Sequence, residues 1–309
     1  MDQKQLKPKS FGEILDTSFS ISKKHFPSLF LMLLFLIGPI YIVDYLFMIV
    51  SGMDLFRETS GGGFGEQLMN NLDTAGNVQA SVADNLGLGM EMVYLALNTI
   101  LNLVLYTMAQ AAVIIAAGKV IKGESWTKKT AVKGAFSRFW PLIGSSLLLG
   151  VIVFGVFLII FIVIGFGGIG LTLAAGDGAG LFPIILLALG SIALLAFFGT
   201  RLSMFFGSVV YKKTAPGFTE SWKLTKGRFW ATLGVFVVFG IIIFLLTSIF
   251  DAVSIILLGG SVAGKLLTDL SSLLGTLFLM VGYTVLLYDL KTRNEGEDLK
   301  DMIASYKNS

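Results

Sequence analysis

Six long apolar runs constrain the fold of this chain more than any other feature of its sequence. They lie at residues 29–50, 92–117, 141–172, 181–210, 229–250 and 270–288. The first run, 22 residues long, would rise about 33 Å as an α-helix, which is enough to cross the ~30 Å hydrocarbon core of a bilayer. Charged residues make up only 14% of the chain, whereas soluble domains contain about 25%. The sequence therefore predicts an all-α polytopic membrane protein with six transmembrane helices.

The distribution of basic residues predicts how these helices are oriented. Of the 23 Lys and Arg residues, 20 lie in four segments, 1–28, 118–140, 211–228 and 289–309. The first connection on the opposite side, 51–89, is acidic and contains Arg57 as its one basic residue. Short loops rich in Lys and Arg stay on the cytoplasmic side of a membrane. We therefore expect a multi-pass protein of the cell membrane with both termini in the cytoplasm.

Short segments that combine basic and aromatic residues precede three of the apolar runs. They read Lys24-His25-Phe26-Pro27, Arg138-Phe139-Trp140-Pro141 and Arg228-Phe229-Trp230-Ala231. Basic amphipathic helices lie in the membrane interface, where Trp is also enriched. We predict such interfacial helices on the cytoplasmic face, with these residues as lipid anchors: Lys24, His25, Trp126, Arg138, Trp140, Arg201, Trp222, Arg228 and Trp230.

The first of these helices has a recognisable start. Ser10 and Glu13 have the spacing of a capping box, in which each side chain bonds the backbone N–H of the other residue. Phe11, Leu15 and Phe19 follow at steps of four and predict one apolar face. A helix packed on another protein segment, rather than on lipid, is the alternative.

The repeated segments favour three hairpins within a single membrane domain, 1–309. In order, the chain would comprise a cytoplasmic arm 1–28, hairpin 29–117 with outer loop 51–89, inner segment 118–140, hairpin 141–210, inner segment 211–228, hairpin 229–288 and cytoplasmic tail 289–309. Stacking similar units gives each of them a buried face. The alternative is that inner loops of any membrane protein resemble one another in charge and aromatic content. Whether residues 251–268 cross part of the bilayer is left open.

The second apolar run carries a ladder of polar side chains at steps of four. Its members are Tyr94, Asn98, Asn102, Tyr106 and Gln110. Polar groups in hydrocarbon are costly unless they are paired, so this face should point into the bundle. It would serve either interhelical hydrogen bonding or a polar path for a substrate.

Two acidic positions add to the polar content of the predicted spans. Asp44 lies 15 residues into the first apolar run, and an intramembrane carboxylate is a functional hypothesis by default. Solvation from the outer face is its alternative. Lys265 and Asp269 are four residues apart, the spacing of an ion pair on one helix.

The sequence offers no catalytic constellation, and we predict neither a metal nor a cofactor. It contains no Cys and one His, which excludes thiolate sites and sites that need two imidazoles. The GxGxxG pattern at 165–170 lies in an apolar run, whereas a dinucleotide site needs a preceding strand. The near P-loop at 259–265 has Leu266 where Ser or Thr is required. Ser145 with His25 as base would lack an orienting acid.

Three segments resemble a known class of bacterial membrane protein. They are Ser10-Phe11-Gly12-Glu13-Ile14-Leu15-Asp16, residues 220–230 (ESWKLTKGRFW) and residues 287–299 (LYDLKTRNEGEDL). Together they are similar to multi-span proteins of the glycerophosphodiester phosphodiesterase membrane-domain type. In that family the hydrolase is a separate soluble domain with paired histidines. The resemblance therefore implies a stand-alone bacterial membrane protein without that activity.

These observations favour a non-enzymatic membrane protein that interacts with lipids, anionic ones at the inner face in particular. It would act in lipid or membrane homeostasis, or as an accessory, immunity or export-support factor with a protein partner; no nucleic-acid partner is expected. The alternative function is a transporter or permease that uses the polar face of the second span. Alanine substitutions at Asn98, Asn102 and Gln110 would separate the two functions. If these side chains line a path, the variants should lose transport and still fold; if they pack the helices together, the variants should lose folding.

Overall fold

The computed structural model of the chain describes residues 8–56, 65–66, 69, 78–175, 181–212 and 215–307. The structure is 88% helical, and the residues within these ranges form no strand. Within the described ranges, six helical stretches are long and apolar enough to cross a membrane: Phe26–Val50, Leu86–Lys122, Phe139–Gly165, Ile185–Tyr211, Phe229–Leu258 and Val262–Asn294. The predicted all-α class and the predicted number of membrane-spanning helices are thereby confirmed.

The helices follow one another along the chain. The first five are α1 (Phe11–Lys24), α2 (Phe26–Val50), α3 (Val78–Leu101), α4 (Thr107–Lys122) and α5 (Lys128–Phe136), with a π-helical turn, Asn102–Tyr106, joining α3 to α4. The next are α6 (Phe139–Ala175), α7 (Leu181–Leu202), α8 (Phe205–Lys212), α9 (Phe218–Leu224), α10 (Phe229–Leu258) and α11 (Val262–Lys307).

The start of α1 confirms the predicted capping box. The Ser10 amide donates to the Glu13 carboxylate at 2.6 Å, and the Ser10 hydroxyl accepts from the Glu13 amide at 3.4 Å. The buried side of α1 contains Ile14, Ser18 and Ile21, while Phe11 of the predicted apolar face is 43% exposed. Small hydroxyl side chains, which look polar in a sequence, allow this close packing.

Most of residues 251–268 belong to two helices. Helix α10 continues to Leu258, and α11 begins at Val262 after a turn in which Gly259 has φ +58°. The last apolar helix thus starts before the predicted residue 270. Its first turns contain Lys265 and Asp269, which form the predicted ion pair on this helix.

Contacts divide the chain into two compact units. The first unit comprises Met1–Ser137 and Val235–Asp289, and the second comprises Arg138–Gly234 and Leu290–Ser309. The core of the first unit is built from small residues of α4, together with larger side chains of α2 and α11: Ala109, Ala112, Val113, Leu33, Ile37, Leu273 and Leu277. The predicted three-hairpin repeat and the interfacial position of the short helices stay predictions.

In the second unit, one serine holds the break between α7 and α8. The buried Ser221 hydroxyl accepts from the Met204 amide at 2.9 Å and donates to the Arg201 carbonyl at 2.7 Å. It therefore satisfies backbone groups that the break leaves without helical partners. Gly217 precedes α9 with φ +76°, and a Cβ there would lie 2.8 Å from the Phe205 carbonyl oxygen, so only glycine fits at this approach.

Candidate functional site

The first unit contains a polar network between α2 and α3 that includes four of the predicted residues. Asp44 on α2 accepts hydrogen bonds from the Tyr94 hydroxyl, at 3.2 Å, and from the Asn98 amide of α3. The Asn102 amide in turn donates to the Asn98 side-chain oxygen at 2.7 Å. Asp44, which the sequence analysis places in the first span, is thus bonded to the ladder of the second.

The last two residues of the predicted ladder lie at the end of the π-helical turn and beyond it. Tyr106 lies at the end of this turn, and its hydroxyl is 3.2 Å from the Thr276 hydroxyl of α11. Gln110 follows on α4, half-buried, and is not linked to the polar network within the described ranges. The ladder residues thus contact two different helices, α2 before the π turn and α11 at its end.

A second set of polar contacts joins α2 to α11. Asp269, which is 4% exposed, is paired with Lys265 and accepts from the Tyr45 hydroxyl at 2.9 Å. The Tyr41 hydroxyl donates to the backbone carbonyl of Asp269 at 3.3 Å. Sequence reasoning missed Tyr41 and Tyr45, although their spacing of four places both hydroxyls on one side of α2. These contacts and those of Asp44 satisfy groups that would otherwise be costly in hydrocarbon.

Arg201 of the second unit lies in an arginine–aromatic cluster with Phe197, Trp222 and Phe229. Its guanidinium carbon is 5.6, 5.4 and 5.8 Å from the respective ring centroids, within the range of cation–π attraction. Its Nε and Nη1 atoms are buried, and neither has a hydrogen-bond partner in the part of the chain that the structure describes. The sequence placed Arg201 among freely extending interfacial residues, whereas the structure encloses it on several sides.

An apolar cavity adjoins this cluster. Its volume is about 240 Å³, and it is lined by residues of α6, α7 and the start of α8: Leu149, Ile152, Val153, Val156, Leu195, Phe198, Gly199, Leu202, Ser203 and Phe205. The Ser203 hydroxyl donates to the Thr200 carbonyl at 2.8 Å, so the one hydroxyl in the lining is already engaged. Hydropathy alone could not reveal this cavity, because its lining looks like any other lipid-facing surface.

The other predicted anchors of the second unit differ in exposure. Trp140 and Trp230 are each 79% exposed, in the first turns of α6 and α10, and Trp222 is 41% exposed. Arg228 is exposed, whereas Arg138 donates from Nη1 to the Val209 carbonyl at 2.9 Å. Arg138 is therefore engaged with the backbone of α8.

The predicted anchors of the first unit lie where α1 meets α2. The rings of His25 and Trp126 meet edge to face, with centroids 6.0 Å apart, and Lys24 is exposed. Burial lowers the pKa of His25 below its usual value, and the positive charge of Lys24 lowers it further. A neutral imidazole is therefore favoured at neutral pH, so the expected lipid contact of His25 would be a hydrogen bond rather than an ion pair.

The structure places the other sequence patterns that could carry chemistry. Within the described residues, no group of three or more His, Asp and Glu side chains could hold a metal ion. The Ser145 hydroxyl donates to the Pro141 carbonyl at 2.6 Å, which is a common backbone contact of helical serines. The GxGxxG pattern lies within α6, not after a strand.

The similarity to the glycerophosphodiester phosphodiesterase membrane domain stays a prediction. No protein-family model matches this chain, and neither a curated protein nor a solved structure matches it, so the functional argument rests on the residues described above.

Proposed function

We propose that this chain is a non-enzymatic, multi-pass protein of a bacterial cytoplasmic membrane that binds membrane lipids and acts in lipid or membrane homeostasis. The observation that supports this most is the exposure of Trp140 and Trp230, 79% each, at the starts of two long apolar helices. Each follows an arginine by two residues. Trp favours the headgroup level of a bilayer, and basic residues beside it attract anionic lipid. Both termini would lie in the cytoplasm.

Neutralising two exposed basic residues beside Trp230 should weaken the preference for anionic lipid. Lys226 and Arg228 are both exposed, and each basic residue near an anionic surface contributes about 1 kcal/mol. The variant Lys226→Gln/Arg228→Gln is therefore expected to prefer phosphatidylglycerol over phosphatidylcholine about thirty-fold less than the parent chain. Native mass spectrometry of protein extracted from nanodiscs containing both lipids would measure this ratio.

A matched control keeps the charges and exchanges the side chains. The variant Lys226→Arg/Arg228→Lys should retain the parental lipid ratio if the effect is electrostatic. The preference should also weaken as salt is added, because salt screens exposed charges. An unchanged ratio in the neutralised variant, with unaltered thermal unfolding, would contradict the proposed function.

A second proposal, transport, is favoured by the polar network. Asp44 accepts from neutral donors, Tyr94 and Asn98, within helices of membrane-spanning length. If this network lines a path, the variant Asn98→Ala/Asn102→Ala should lose cation flux into proteoliposomes while its thermal unfolding stays parental. A loss of folding without a flux defect in the surviving protein would assign these residues to helix packing instead.

A further inference from the structure

We propose that the second unit holds one phospholipid molecule, with an acyl chain in the apolar cavity and the phosphate at Arg201. This inference rests on the proposed lipid-binding function and names its site and its ligand class. It combines two independent observations, an apolar cavity and an arginine whose buried Nε and Nη1 atoms have no acceptor among the described residues.

The cavity has the chemistry of a hydrocarbon site. Nine of its ten lining residues have no polar side chain, and the hydroxyl of the tenth, Ser203, already donates to the Thr200 carbonyl. Its volume of about 240 Å³ is below the roughly 300–1,000 Å³ of pockets that enclose a whole drug-sized ligand. It would therefore hold part of a flexible molecule. Because α6 and α7 contribute to helices of membrane-spanning length, acyl chains are the molecules that surround it.

Arg201 supplies the complementary charge for the other end of such a molecule. A guanidinium has five N–H donors and no acceptor, and Nε and Nη1 of Arg201 are buried without a hydrogen-bond partner. The three rings of the arginine–aromatic cluster attract the cation but offer no oxygen acceptor. A phosphate does, and arginine binds it through two parallel N–H bonds when the geometry allows. A buried polar group without a partner in a native structure calls for an explanation such as a bound ion or water, and a lipid phosphate would supply the same kind of oxygen acceptor.

The apolar cavity and the arginine–aromatic cluster adjoin each other at the end of α7. Gly199, Leu202 and Ser203 line the cavity, and Arg201 lies between them in the chain. Phe198 also lines the cavity, and its ring centroid is 6.4 Å from that of Trp222, a member of the arginine–aromatic cluster. A molecule with a charged head and an apolar chain would therefore contact both features at once.

Ser221 acts as a positioning residue for this site. Its hydroxyl holds both the Arg201 carbonyl and the Met204 amide, at 2.7 and 2.9 Å, across the break between α7 and α8. The backbone that carries the guanidinium is therefore fixed relative to α9, which supplies Trp222.

Filling the cavity provides the decisive test. A Cβ at Gly199 would meet no atom within 4 Å, so the variant Gly199→Leu can place a side chain in the cavity without a clash at its Cβ. Gly190 lies on the same helix outside the lining and is equally open, so Gly190→Leu is the matched control. Both variants would be reconstituted in vesicles of phosphatidylglycerol and phosphatidylcholine, extracted mildly and weighed by native mass spectrometry.

The parent chain and Gly190→Leu are expected to retain one phospholipid, whereas Gly199→Leu should retain it at below about a tenth of that level, because the added side chain occupies the chain site. Arg201→Gln should lose the selection of phosphatidylglycerol over neutral diacylglycerol, and Arg201→Lys should recover part of it. Equal retention by all variants would overturn the site while leaving the proposed function intact. A loss of anionic preference only in Lys226→Gln/Arg228→Gln would likewise place the lipid elsewhere.

A measurement on the unmodified chain tests the same site without relying on variants, which could fail to fold. Phosphatidylglycerol with a photoreactive group in its acyl chain should crosslink to the peptide that contains Phe198 and Leu202. Crosslinks spread evenly over the apolar helices would overturn the inference, because they indicate bulk lipid contact only.

Discussion

Replacing Gly282 by alanine should destabilise the first unit by about 1–3 kcal/mol, the range expected for overpacking a filled core. A Cβ at Gly282 would lie 2.4 Å from Cζ of Phe239 and 2.7 Å from its Cε1 and Cε2 atoms. Phe239 is 2% exposed, and its ring is stacked with that of Phe19, with centroids 6.2 Å apart. The ring therefore cannot move aside without disturbing α1. Equilibrium unfolding in mixed detergent micelles would measure the loss.

Two further variants identify the cause. Gly240 lies on α10 with no atom within 4 Å of its would-be Cβ, so Gly240→Ala should be neutral or slightly stabilising, because alanine is the better helix former. In Gly282→Ala/Phe239→Leu the smaller side chain should relieve the clash, so the double variant should lose less stability than the sum of the single ones. Strict additivity would show that Gly282 and Phe239 do not clash.

Replacing Lys265 by methionine should cost about 3 kcal/mol, the lower end of the range for removing one partner of a buried ion pair. The lower end applies because the Lys265 side chain is 33% exposed while that of Asp269 is 6% exposed. Without the ammonium, Asp269 would keep the Tyr45 hydroxyl, at 2.9 Å, as a hydrogen-bond donor. A carboxylate left unpaired in an apolar bundle is the source of the expected loss, which the same unfolding assay would record.

Removing both charges should recover much of that stability. In Lys265→Met/Asp269→Leu no charge is left buried, and apolar replacements of similar volume are often neutral for a buried pair. Asp269→Leu alone should leave the one-third exposed Lys265 side chain free to reach solvent, with a smaller loss than Lys265→Met. If the double variant were as unstable as Lys265→Met, the loss would come from packing rather than from the unpaired carboxylate.

Much of the fold could be predicted because its signals are local. A run of apolar residues predicts a membrane-spanning helix wherever it occurs, and six such helices are present. The Ser10–Glu13 capping box and the Lys265–Asp269 pair also depend on spacings within one helix. The face of α3 that bears Tyr94 and Asn98 could also be predicted from the sequence, because both residues lie before the π turn.

The candidate sites required contacts that no local pattern contains. Asp269 meets Tyr45, which is 224 positions away in the chain, and Arg201 meets Trp222 and Phe229 from other helices. The π turn that ends at Tyr106 also has no clear sign in the residue pattern. Periodicity indicates which residues share a face of one helix, but it does not indicate which neighbour covers that face.

The sequence by itself thus determined that the chain forms six long apolar helices and where its basic residues cluster, because hydropathy and charge act on each segment separately. Only the tertiary structure decided that Asp44 is bonded to α3, that Arg201 is enclosed by aromatic rings and that an apolar cavity lies beside it. The physical reason is that these features depend on side-chain packing between helices distant in the chain.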